Sequence, residues 1–367
     1  MSAAKTFPPA RDWDILVIGG GITGAGILLE AARRGLKALL VEQKDFACGT
    51  SSRSSKLVHG GLRYLASGGL RLTRDAVHER EALLRAAPGL VEPQGFAFAE
   101  HDPETKQAKG MTTMLRVVDL LAGRREPRWE RPETLRRQAP EARPADGAPA
   151  ANGIRYTDAK TDDARLVLRV LDEARVHGAV TCNYVTVQSL VRDGGKVHGA
   201  MLRDERSRAE TAVRARVVVN ATGVWSSLAG GDGVTDRAPR LRQLRASHLV
   251  LPAARLPLNQ AVSLLHPSDG RPVFAFPWEG VTLVGAADVD DEGGADAPAH
   301  ITRREFDYLM SALRAQFPQL DLNDADVVAT FAGVRPVVDA GHGGAPASEK
   351  REHFVWSEPG LVSVAGG

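Results

Sequence analysis

Residues 14–42 read DILVIGGGITGAGILLEAARRGLKALLVE, and this stretch sets the fold class. Ile15 to Ile18 form an apolar run of the kind a buried parallel strand needs. Gly19, Gly21 and Gly24 then satisfy G-x-G-x-x-G. A helical pattern follows from Thr23 to about Arg34, Gly35 stops it, and Lys37 to Val41 predict the next strand, which Glu42 ends. Each residue type has a physical task. Gly19 permits a tight turn, Gly21 lets a pyrophosphate approach the backbone, and Gly24 lets helix and strand pack closely. The positive end of the helix dipole then faces the phosphates. Glu42 stands at the offset of a carboxylate that accepts from ribose hydroxyls, and it would repel a 2′-phosphate. Strand, glycines, helix, strand and acid together predict a dinucleotide site. The competing reading is a Gly-rich turn that binds nothing.

The chain has 367 residues, enough for one or two domains with a sizeable core. Its net charge of +2 argues against an extended nucleic-acid surface. No apolar run reaches the roughly 18 residues of a membrane span. The first 13 residues lack a signal-peptide core and read as a loose tail. Cys48 and Cys182 make no disulfide framework, so a reducing cytoplasm is the simplest compartment. No His/Cys cluster has metal-ligand spacing.

After Glu42 comes QKDFACGTSSRSSKLVHGGLRYLASGG, rich in Ser, Gly and basic residues. Loops this long in a compact domain usually carry function. Thr50, Ser51, Ser52, Ser54 and Ser55 offer hydroxyls, while Lys56, His59 and Arg63 suit anionic oxygens. A solvated basic loop is the bland alternative. Asp75 to Ala87 reads as a capped helix, and Glu92 to Asn152 as irregular in composition. Met111 to Leu121 is apolar beside the basic run GRREPRWERPETLRRQ, which suits either an anionic membrane surface or a helix packed on its own protein. The Pro/Ala stretch 140–151 reads as a linker. Thr161 is the expected N-cap of a helix that Gly178 ends. Gly194-Gly195 marks a hairpin, and Val213 to Ala221 is a β-branched strand leading into NATG. Residues 244–287 read as successive antiparallel strands, and Thr302 with Glu305 form a capping box. Val327 to Phe331, leading to GVRP, and Leu361 to Ala365 are two closing strands.

The pieces IGGGITGAG, TSSRSSKLVHGGLRYL, TDDARLVL, NATGVW, SHLVLP, FPW, GAADVD, GVRP and SVAGG occur in one order from residue 14 to the end. In this the chain resembles FAD-dependent glycerol-3-phosphate dehydrogenases. The serine-rich piece is the specific one, since related amine oxidases share the glycine motif without it. The resemblance implies an α/β fold: a Rossmann-type FAD-binding domain, glutathione-reductase-like, with an inserted, mainly antiparallel substrate domain. The expected segments are FAD-binding 12–90, 151–235 and 326–367, with substrate parts 91–150 and 236–325. Family members continue past the terminal Gly-Gly into a basic segment and a helical C-terminal domain, so this chain is expected to be an incomplete copy of a longer parent. The family's threonine pair is Ala286-Ala287 here.

The implied reaction oxidises sn-glycerol 3-phosphate to dihydroxyacetone phosphate, with non-covalent FAD and electron delivery to a quinone or, in some members, to oxygen. It also implies a peripheral contact on the inner face of the cell membrane, and a homodimer is a further expectation. FAD contacts are expected at Gly19, Gly21, Gly24, Glu42, Thr50, Ser51, Ser52, Ser55, Lys56, Leu57, Val185, Ala221 and Gly223. By resemblance, Arg63 and Arg335 hold the substrate phosphate or oxygens, with Tyr64 beside them. His248 is the expected base because it lies in a strand of the substrate sheet and has a suitable ordinary pKa; a structural histidine is the rival. Arg335 could also stabilise the developing alkoxide. Asp288 orients a substrate hydroxyl or Arg335, or else merely starts a turn before the acidic run 288–292. A flavin amine or 2-hydroxyacid oxidase and a non-catalytic FAD-binding fragment are the alternatives.

Overall fold

The computed structural model describes residues 8, 12–59, 61, 64–65, 68–100, 106–123, 128–130, 152–226, 239–339 and 353–366. In chain order, β1 (Trp13–Ile18), α1 (Ile22–Arg33) and β2 (Ala38–Glu42) open the fold. Next come β3 (Leu57–Val58), α2 (Leu70–Ala86), β4 (Val91–Glu100), α3 (Lys106–Leu121), β5 (Arg128–Glu130) and β6 (Asn152–Thr161). After α4 (Asp163–Val176) run β7 (Val180–Asn183), β8 (Val185–Asp193), β9 (Lys196–Asp204) and β10 (Glu210–Asn220). Then follow β11 (Leu241–Pro252), β12 (Ala261–Leu265), β13 (Pro272–Trp278), β14 (Val281–Asp290) and α5 (Arg303–Gln316). β15 (Ala329–Val338), β16 (His353–Glu358) and β17 (Leu361–Gly366) close the described chain.

Two sheets form among the described residues. The first has the order β16-β17-β10-β1-β2-β7, parallel except for β16, with the β8–β9 hairpin attached to β10. Its central strands are apolar along their length because both faces are covered. Val17, Leu40 and Val219 meet Leu28 of α1 and Leu171 of α4. Leu16, Leu39 and Val218 meet Val197 and Leu202 of the hairpin on the other face. Each such buried side chain contributes about 1.5–3 kcal/mol. The hairpin turn uses Gly194 and Gly195 at φ 54° and 78°, which favours glycine at both places.

The second sheet has the order β15-β11-β14-β13-β12-β4-β6-β3, with β5 beside β6. One face packs on α5 through Leu309, Leu313 and Phe317. The Thr302–Glu305 capping box that starts α5 is present as expected. The opposite face carries Phe96, Phe276, Phe274, Trp278 and Phe331.

Several expectations change. Sheet membership cuts across the segments drawn from sequence. β3, β6 and β15 lie in the second sheet, although 12–90, 151–235 and 326–367 were assigned to the cofactor part. α2 starts at Leu70 rather than Asp75, and Gly69 before it supplies no side-chain cap. Within the compositionally irregular 92–152, β4 and α3 form, and α3 contains the apolar piece Met111 to Leu121. Asp162, not Thr161, caps α4, accepting from Arg165 N at 3.0 Å. Trp13 is no tail residue, because it is 2% exposed inside β1. The linker 140–151 and most of the basic run lie outside the described residues. Among the described residues, no helix is long and apolar enough to cross a membrane.

Candidate active site

β1 turns to β2 on one side and meets β10 on the other, so a crevice opens where the chains leave the sheet in opposite directions. Gly19 (φ 111°) is what lets the ends come together: a Cβ there would stand 2.5 Å from Ala221 O. Gly24 is equally constrained. A Cβ on it would lie 2.0 Å from Gly19 O, a backbone atom that cannot swing away. Gly24→Ala is therefore expected to destabilise the protein by about 1–3 kcal/mol, the overpacking outweighing the roughly 1 kcal/mol of helix propensity that alanine adds. The protein should also be purified with less bound flavin; an unchanged melting point with full yellow colour would contradict this.

A cavity of about 920 Å³ fills the crevice. It is lined by Gly19, Gly21, Glu42, Thr50, Ser51, Val185, Ala221 and Gly223 among the expected cofactor residues, and by Arg335. Cys48, expected from sequence to lie near the adenosine side without a redox role, also lines it, as do Gly49, Gln188, Thr222, Trp225, Pro336 and Gly366, which sequence reasoning did not single out. The loop after Glu42, NATGVW, GVRP and the terminal glycines carried a signal for all of these except Gln188. Trp225 Nε1 donates to Asp296 Oδ1 at 2.8 Å, joining the turn after β10 to the loop after β14. The cavity is large enough for a cofactor-sized ligand.

The polar groups around it are specific. Glu42 is 8% exposed; its Oε2 accepts from Gly20 N and its Oε1 from Lys44 N, both at 2.8 Å. The Cys48 thiol also donates to Oε1 at 3.7 Å, so of the roughly four lone-pair positions one, on Oε2, remains for a ribose hydroxyl. Ser51 Oγ accepts the Ile22 N–H at 3.0 Å, taking one of the donors that open α1. Thr50 Oγ1 donates to Val334 O, tying this loop to β15. Gly333 lets the loop pass, since a Cβ there would stand 2.6 Å from Arg53 O. Burial, with Glu42 beside it, pushes the Cys48 thiol up to about 11, so no reactive thiolate stands at neutral pH.

Ser52, Ser55, Lys56, Leu57 and Gly24 do not line the cavity. Lys56 makes its contacts on the side of α4. Its ammonium pairs with Asp163 and donates to Ser52 O at 2.8 Å. Asp163 also accepts from Ser54 N at 2.9 Å and Ser54 Oγ at 2.7 Å. The acid one residue after the cap of α4 thus clamps the serine-rich loop. Leu57 packs with the aromatic face of the second sheet.

Beside that face lie the remaining candidate residues. His248 on β11 is 1% exposed and stacks on Phe331 of β15, with 4.6 Å between ring centroids. Neither of its ring nitrogens has a hydrogen-bond partner among the described residues. Burial pulls its pKa down to about 4, with Lys56 and Arg335 acting in the same sense and Asp288 opposing them. The imidazole is therefore neutral at pH 7 and able to accept a proton. Arg335 Nη2 lies 3.0 Å from Asp288 Oδ2, and Arg335 Nε has no hydrogen-bond acceptor among the described residues. A buried guanidinium with an unsatisfied donor costs free energy unless a ligand oxygen meets it. Tyr64 sits in the turn before α2, held by Gly61 O and Gly69 N, and does not line the cavity. Arg63 lies outside the described residues.

The chain resembles proteins of known kind. It is 36% identical over 362 residues to the aerobic glycerol-3-phosphate dehydrogenase of Bacillus subtilis (strain 168), covering 97% of this chain and 64% of that protein. Among solved structures, the glycerol-3-phosphate dehydrogenase from Bacillus halodurans complexed with FAD aligns at TM-score 0.78 and 33% identity, over 98% of this chain and 61% of that one. A glycine oxidase from Bacillus cereus aligns at TM-score 0.68 over 96% of this chain and 89% of its own, but at 18% identity it shares the fold alone. The chain spans 64% of the length of the curated relatives it matches. The pattern of the FAD dependent oxidoreductase family runs over residues 14–367, and the chain belongs to that family.

Proposed function

We propose that this chain carries the FAD site and the reacting face of an enzyme that oxidises sn-glycerol 3-phosphate to dihydroxyacetone phosphate. The observation that carries this reading is that Arg335, which lines the dinucleotide cavity, pairs with Asp288 and acts with it on a neutral, unpartnered His248. When bound, FAD supplies the hydride acceptor at N5 for the hydrogen leaving C2. The glycine turn admits the pyrophosphate, and Glu42 keeps an acceptor position for ribose. His248 takes the proton of the C2 hydroxyl. Arg335 meets the substrate oxygen or its phosphate, and Asp288 holds the guanidinium in place. Arg63 and Tyr64 complete the phosphate site in this reading. The aromatic face of the second sheet excludes water.

Electrons pass onward to a quinone, with the protein placed peripherally on the inner face of the cell membrane and the chain pairing as a homodimer. The quinone and the membrane contact follow from the family resemblance read in the sequence, the homodimer is a separate expectation, and flotation with vesicles checks the membrane contact. Adding glycerol 3-phosphate anaerobically to the yellow protein should bleach the flavin band. Since His248 must be unprotonated to act, bleaching should be fast at neutral pH and fall as pH drops through about 4. A yellow protein that does not bleach would overturn the substrate, favouring an amine or 2-hydroxyacid oxidase. A colourless one would overturn the cofactor assignment for this chain.

A further inference from the structure

Gly285 occupies a place in the second sheet that no side chain could share. On β14 it pairs with His248 of β11 on one side and with Phe274 of β13 on the other. The ladder between β11 and β14 shifts register between Ser247 and His248. A Cβ on Gly285 would stand 2.2 Å from His248 Cδ2 and 2.8 Å from Nε2. The imidazole therefore lies down over the bare glycine instead of rising from the sheet. Phe331 supports it, with planes 5° from parallel.

A catalytic histidine usually owes its direction and tautomer to a carboxylate or carbonyl on its second nitrogen. His248 has none among the described residues. Shape is the remaining constraint. We propose that Gly285 is a positioning residue: its missing side chain, with Phe331 as backing, aims the imidazole of His248. This rests on the reading of His248 as the base. The charged groups around the ring are Lys56 from the loop before β3, Asp288 from β14 and Arg335 from β15. Holding the ring by packing leaves both nitrogens available and keeps it neutral in a buried site. The alternative is that the ring merely covers a weak point in the strand, a common device in sheets.

A double-mutant cycle on the FAD-loaded protein separates the two. Gly285→Ala should slow anaerobic flavin reduction by about tenfold or more while apparent affinity for glycerol 3-phosphate stays within about twofold. In a His248→Asn background the same change should cost less than about twofold, because the glycine acts only through the ring. An equal cost in both backgrounds would show a structural glycine and overturn the proposal. A readout independent of turnover is the ¹⁵N-imidazole titration of His248. In Gly285→Ala the displaced ring should titrate about one pH unit or more above the native protein, since it regains water. An unmoved titration overturns the proposal even if the base reading holds. His248→Asn with near-normal reduction would instead sink the base reading, and the titration would still decide on Gly285. Should Gly285→Ala not fold, Phe331→Leu removes the opposite wall and should shift the titration the same way.

Discussion

On the proposed function, Arg335→Ala is expected to lower the rate of flavin reduction by glycerol 3-phosphate by about 10²–10³, the equivalent of about 3–4 kcal/mol. Two losses combine. A charge-assisted donor to a substrate oxygen is worth about 1.5–3 kcal/mol. The rest comes from Asp288, whose carboxylate is left without the guanidinium 3.0 Å away in a site where both side chains are under one-fifth exposed. Arg335→Lys keeps the charge and loses the planar fork, so it should recover only part of the rate. Asp288→Asn separates the terms: it keeps the arginine but not its anchor, and should cost less than Arg335→Ala. Stopped-flow reduction across substrate concentration reads all three. A loss of less than about threefold for Arg335→Ala would remove Arg335 from the reacting site.

Asp163→Ala unfolds the protein more easily by about 3–5 kcal/mol, because it strands a buried ammonium. Asp163 and Lys56 each expose 10% of their side chain, so solvent screens the pair little. The same change strips acceptors from Ser54 N and Ser54 Oγ. Since the loop it clamps carries Thr50 and Ser51 into the cofactor cavity, bound FAD should be lost along with stability. The double variant Lys56→Met with Asp163→Leu should be markedly less destabilised than Asp163→Ala, as no charge is then left alone. Denaturant melts with and without added FAD measure both effects. Equal stability of Asp163→Ala and the native protein would show that the pair contributes nothing.

The cofactor half of the site was legible in residues 14–42 because a tight turn, an approach to a pyrophosphate and an amphipathic helix are each dictated by neighbours in the chain. Where β1, α1 and β2 run differs from the reading by one or two residues. The α4 cap was misread for a reason that sequence does not carry. Thr161 and Asp162 are both good caps, but Thr161 is spent in the ladder of β6, opposite Val91. β15 looked like a return to the cofactor sheet from its place near the end of the chain, yet it pairs with β11 along ten residues. Such antiparallel pairing joins positions some ninety residues apart, which no local period reveals.

From sequence alone came the dinucleotide turn, the two-part architecture, the capping box of α5 and the chemical types at His248, Asp288 and Arg335. Tertiary structure alone decided what those groups do to one another. Lys56 pairs with Asp163 across some hundred residues, and His248 is neutral and unpartnered among the described residues because Phe331 and Gly285 enclose it. Turn geometry and periodicity are properties of consecutive residues. Charge pairing, desolvation and the aim of a buried ring arise only when distant strands pack together and exclude water.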